Sequence, residues 1–192
     1  MKKVLLMAIA LISMVAVQAQ TKDEISKSQE RSAKLKALCD DYPKQCGNAD
    51  VDAYGKAVYD AAIMAVANSE QLENLYKREI GETKDGVTDV TVKKPTLEEW
   101  ITLGTTVTAE GVSVKKAVDQ AQKAAIEVKT ISESAAKEKN PMKAAKLAKG
   151  AKAATAVLEF GNLATPILLE GSAAQAAAVQ QIIQTLQSGG NL

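Results

Sequence analysis

Apolar residues recur every three or four positions over most of this 192-residue chain, and alanine is the commonest of them, with 33 copies. That period lines one side of an α-helix, whereas a half-buried strand would alternate every second residue. The clearest run is Trp100, Leu103, Val107, Gly111, Val114, Val118, Ala121, Ala125, Val128 and Ala135. The pattern predicts an all-α fold, an antiparallel bundle of four to five long, Ala-rich helices. Small side chains let helix axes approach toward the short end of the roughly 8 to 10 Å range. A core can then close with one Trp, one Phe and four Tyr.

Punctuation divides the run. Thr21 and Glu24 have capping-box spacing, and Ile25, Leu35 and Leu38 continue a first helix to the Tyr42-Pro43 break. After Gly47-Asn48, Val51 to Ile80 reads as a second helix, with Asp50 as its N-cap and Gly81 as its C-cap. Residues 81–95 form one long loop, and the alternation from Gly86 to Val92 suits a short β-ribbon. Thr96 and Glu99 open a third helix with a second capping box. The β-branched stretch between Gly104 and Gly111 predicts a kink or break in it. Asn140-Pro141 starts a fourth helix that reaches Phe160, Gly161 to Pro166 interrupts it, and Val179, Ile182, Ile183 and Leu186 mark a final helix.

Lys2 and Lys3, the apolar stretch Val4 to Val17, and Ala19 before a cut at Gln20 have the layout of a secretory signal peptide. Fourteen apolar residues are too few for the roughly 20 that a bilayer-spanning helix needs. Residues 1–19 are therefore expected to be removed, leaving 20–192 as a single helical-bundle domain in the periplasm or outside the cell. In an oxidising compartment Cys39 and Cys46 are expected to form a disulfide across a short loop. Closing that loop would stabilise by about 2 to 3 kcal/mol.

The composition removes several chemistries. With no His there is no Ser-His-Asp or Cys-His pair and no His-ligated zinc. Asn48, Asp50 and Asp52 resemble the start of an EF-hand loop, but Ala53 and Tyr59 stand where Gly and a bidentate Glu are required. Glu98 and Glu99 suit a helix first turn rather than a catalytic dyad. The chain is read as a non-enzyme without metal or cofactor. A balance of 24 basic against 23 acidic residues, with few aromatics, argues against a nucleic-acid partner.

Two surfaces stand out. Lys137, Lys139, Lys143, Lys146, Lys149 and Lys152 make a basic tract, a candidate anion patch for lipid headgroups or another polyanion. From Phe160 to the C-terminus Glu170 is the one charged side chain, and Gln175, Val179, Gln180, Ile183, Gln184 and Gln187 form a charge-free candidate partner surface. The expected function is an exported, non-enzymatic bundle for protein interaction or scaffolding in the cell envelope, through a protein partner or self-association. The alternative is a membrane-active or anion-binding protein that meets a membrane surface through the lysines and inserts the apolar stretch Phe160 to Leu169.

Overall fold

The structure is a computed structural model that describes residues 21–84, 87–89 and 92–189. The expected signal peptide and its cleavage site lie outside the described residues. Four helices pack together: α1 (Thr21–Asp40), α2 (Ala49–Ile80), α3 (Leu97–Lys137) and α4 (Pro141–Gln187). Between α2 and α3, β1 (Glu82–Lys84) and β2 (Val87–Asp89) pair antiparallel, with Thr83 opposite Thr88.

Local chemistry sets most of the boundaries. The Asn48 side chain accepts from the backbone N–H groups of Asp50 and Val51, so Asn48, not the expected Asp50, caps α2. Asp52 is used differently, accepting from the N–H groups of Cys46 and Gly47 and so bracing the turn before the helix. Gly81 ends α2 at φ 79, a value that L side chains rarely adopt. Thr96 and Glu99 exchange both bonds of a capping box. The Arg78 guanidinium and then the Thr96 N–H hold the Glu99 carboxyl down at about 2. Asn140 caps α4 through the N–H groups of Met142 and Lys143, with Pro141 in the first turn, where no N–H is needed. The Glu24 carboxylate lies against Arg31, and the side chain of Thr21, the other half of the expected capping box, lies outside the described residues.

Two expected interruptions are absent. Helix α3 runs unbroken through Gly104–Gly111. Its threonines are accommodated by back-bonding, Thr105 Oγ1 to the Ile101 carbonyl at 3.0 Å and Thr108 Oγ1 to the Gly104 carbonyl at 2.8 Å. Helix α4 likewise passes through Gly161 and Pro166, so the described residues form four helices. Tertiary packing overrides propensity there, because Phe160, Ala164 and Leu168 form one buried stripe that a break would pull out of the core. Pro166 itself is exposed, so its ring contributes little packing while it removes one helix hydrogen bond. Pro166→Ala is therefore expected to stabilise the fold by about 2 kcal/mol, read as a higher urea midpoint at unchanged slope.

The core has three sections. At one end Leu72, Trp100, Leu103, Val179 and Ile182 join α2, α3 and α4, with Ile25 of α1. The middle is Leu35, Tyr54, Val58, Ala61, Val114, Ala124 and Phe160 among others, and at the far end Val51, Val128, Ala154 and Val157 meet. These pairings make consecutive helices antiparallel. Helices α2, α3 and α4 pack on one another, and α1 fills the groove between α2 and α4. Glycine lets α2 and α4 approach: a Cβ on Gly161 would stand 2.5 Å from Tyr54 Cζ, and one on Gly55 would stand 2.5 Å from Val157 Cγ1. Beyond the far section, the ends of α3 and α4 project as a mostly exposed hairpin.

Cys39 and Cys46 are not bonded to each other, which corrects the expected disulfide. They belong to different parts of the core, Cys39 to the middle section and Cys46 to the edge of the far section beside Ile131. The turn between them is fixed without a covalent staple. Tyr42 packs on Tyr59 at 4.8 Å between ring centroids and edge-on against Phe160 at 5.0 Å, while Asp52 holds the Cys46 and Gly47 N–H groups. Burial pushes both thiols up, which keeps them neutral and weakly nucleophilic.

Candidate binding groove

Helices α3 and α4 leave a groove of about 590 Å³ between them, with no residue of α1 in its lining. The geometry follows from residue size. Gly104, Gly111, Ala173 and Ala176 keep its floor low, and a Cβ built on Gly111 would meet nothing within 4 Å. Ile101, Val112 and Leu169 stand along its margins at 44%, 67% and 49% exposure, although each is apolar. Lys115 is the one charged residue of the lining, and its ammonium is 2.8 Å from Asp119 one turn further along α3.

Five of the six expected partner-surface residues line this groove: Val179, Gln180, Ile183, Gln184 and Gln187. Val179 is itself a core residue at 1% exposure, so it forms wall rather than free surface. Gln175 is not brought there. It is buried, and its amide donates to Ser28 Oγ at 2.6 Å and Ser69 Oγ at 3.2 Å.

Gln175 belongs to a polar layer across the bundle that the periodicity did not single out. Ser69 Oγ donates to the Ser28 carbonyl at 2.9 Å, and the two hydroxyls also meet. Arg31 reaches from α1 to Glu24 on its own helix and to Glu170 of α4 at 3.3 Å, over Gly171, where a Cβ would press at 3.3 Å against its Nε. Burial raises the Glu24 carboxyl above its ordinary value, although Arg31 works against the rise. Asn68 Nδ2 donates to Glu110 Oε2 at 2.7 Å, and Glu110 is fully buried with Oε1 unpaired. Desolvation, only partly offset by Asn68 and Arg31, pushes Glu110 up to about 7. The signal was present in the sequence as polar residues in core register: Ser28 and Arg31 between Ile25 and Leu35, Asn68 between Ala65 and Leu72, Glu110 between Val107 and Val114.

All six lysines of the basic tract are exposed on the projecting hairpin. Lys143 and Lys146 border a second hollow, about 500 Å³, with Cys46, Ile131 and Leu147. The stretch Phe160 to Leu169, expected as an insertion tip, has Phe160, Ala164 and Leu168 turned into the core. Among the described residues no helix is long and apolar enough to cross a membrane, and no group of three or more acidic or Cys side chains is placed to hold a metal ion. Comparisons with protein-family models, with curated proteins and with solved structures found no match to this chain.

Proposed function

We propose that this chain is an exported, non-catalytic interaction protein of the cell envelope whose contact surface is the groove between α3 and α4. One observation carries the reading: an apolar trough with a single lining charge lies against the charge-poor part of α4, with large apolar side chains left in water along its margins. Such a surface is costly to leave exposed and suits contact with another apolar face. The buried polar groups nearby support a structural role for themselves, since Glu110, Asn68, Ser28 and Gln175 are directed at one another in the interior rather than at the groove.

The test is site-specific photo-crosslinking in intact cells. A crosslinker at Val112 is expected to give discrete protein adducts, one at Lys56 on the exposed side of α2 is expected to give none, and Ile183→Lys is expected to abolish the Val112 adducts. Absence of adducts at Val112, or equal adducts at both positions, would overturn the reading.

A further inference from the structure

We infer that the projecting hairpin of α3 and α4 docks the protein on an anionic lipid bilayer, with its lysines at the headgroup phosphates and Met142 entering the apolar boundary. This contact uses a different part of the molecule from the groove. Val128 and Ala154 belong to the last buried section, and no residue from Lys129 to Ala153 is buried. Helix α3 nonetheless continues to Lys137, about 14 Å further at the helical rise per residue. The hairpin has no core to serve, yet its turn is firmly built. Asn140 caps α4, and Glu138 Oε1 accepts from the Asn140 N–H at 2.8 Å.

The charge on this projection is uncompensated. From Lys137 to Lys152 six lysines stand against the single acid Glu138, a local net charge of +5 in a chain that carries +1 in all. Lys137 lies 3.7 Å from Glu133, but Lys139, Lys143, Lys146, Lys149 and Lys152 are exposed and form no ion pair with a described residue. Acids where the hairpin leaves the bundle are engaged elsewhere: Asp50 with Lys123 at 2.9 Å, Asp52 with the Cys46 and Gly47 N–H groups, and Glu127 with the Asn48 amide. Such a cluster draws the hairpin toward an anionic surface.

Three features select a bilayer among anionic partners. Met142, at the apex, is 86% exposed, more than any other large apolar side chain among the described residues. A soluble polyanion offers it nothing, whereas a membrane interface places an apolar boundary just beneath the phosphates. The cations are all Lys, compact charges without the planar fork that Arg presents to one carboxylate or phosphate, which suits a diffuse charged surface. No aromatic residue occurs from Lys129 to Ala153, so nucleic-acid bases have nothing to stack on. The apolar contact thus falls at Met142 and not in the expected stretch Phe160 to Leu169, where Phe160, Ala164 and Leu168 are taken up by the core.

The test is co-sedimentation of the chain from Gln20 onward, which contains every described helix, with vesicles of equal parts phosphatidylglycerol and phosphatidylcholine. Binding is expected at about 0.05 M salt, is expected to be lost at about 0.5 M, and should be absent with pure phosphatidylcholine. Lys143→Gln combined with Lys146→Gln is expected to weaken it about 30-fold, at about five-fold per lysine. Lys34→Gln combined with Lys36→Gln, the same loss of charge on α1, should leave it nearly unchanged. Met142→Ser is expected to weaken it about ten-fold. All five side chains are exposed, so the variants leave the core intact. No binding to the anionic vesicles, or equal loss from both lysine pairs, would overturn the inference. Binding that ignores Met142→Ser, or that polyphosphate matches, would replace the bilayer with a free polyanion. None of these results bears on the Val112 crosslinks, so the groove and the hairpin fail separately.

Discussion

Gly161→Ala is expected to destabilise the protein by about 3 kcal/mol, although alanine is the better helix former. The added methyl group would stand 2.5 Å from Tyr54 Cζ and 2.6 Å from Cε1, and the Tyr54 hydroxyl is nearer still. Tyr54 cannot swing aside because it is 1% exposed in the middle of the core. The helices α2 and α4 would have to separate, loosening Val157 against Gly55 in the same step. Gly150→Ala on the same helix is the control. Nothing lies within 4 Å of its added Cβ, so the propensity gain of about 1 kcal/mol should appear unopposed. Urea unfolding of the two variants should move the midpoint in opposite directions. Tyr54→Phe, which removes the hydroxyl nearest the clash, should recover part of the Gly161→Ala loss in a double-mutant cycle. If Gly161→Ala is neutral, the close crossing of α2 and α4 is not the contact that organises the bundle.

The second large effect is expected at Glu110, and it depends on pH. Its carboxyl sits near 7 in the fold and near its ordinary 4.5 in the unfolded chain. Below pH 4.5 the group is neutral in both states and favours neither. As pH rises from 4.5 to 7 the unfolded chain releases its proton first, so the fold loses stability, by about 3 kcal/mol when the loss is complete. The Asn68 hydrogen bond and the more distant charge of Arg31 reduce the cost without cancelling it, and Arg31 is itself paired with Glu24 and Glu170. Glu110→Gln keeps an oxygen for Asn68 to donate to and removes the charge. At pH 8 the variant should be about 2 to 3 kcal/mol more stable than the parent, and near pH 4.5 the gap should close to within about 1 kcal/mol. Denaturation of both proteins across this range reads the difference, in which Glu24 and the other titrating groups largely cancel. A gap that does not change with pH would mean that Glu110 titrates near its ordinary value.

The two predictions mark what sequence could and could not reveal. Helix identity was legible wherever capping and periodicity agreed, as at Thr96–Glu99, Asn140–Pro141 and Gly81. It failed at Gly104–Gly111 and Gly161–Pro166, where local propensity favours a break and distant residues decide otherwise. Gly161 is required by Tyr54, more than a hundred residues earlier, and no local rule contains that contact. The Cys pair misled for the same reason: seven residues of separation say nothing about the different core sections into which two side chains turn. The uncharged α4 face did point to the groove, because absence of charge is a property of the segment itself. Gln175 was the exception, a residue of that face taken up by Ser28 and Ser69 from helices that the local pattern could not place.

The layer of Ser28, Asn68, Ser69, Glu110 and Gln175 also bears on alignment. Long rods that touch through methyl groups are nearly self-similar along their length, so sliding one past another by a turn of about 5.4 Å exchanges one alanine contact for a similar one. Such a slide would carry Glu110 away from Asn68 into the places held by Val107 or Val114, and would strand both groups without partners. One crossing of hydrogen-bonding side chains thus acts as a detent, giving an otherwise slippery stack of helices a single stop.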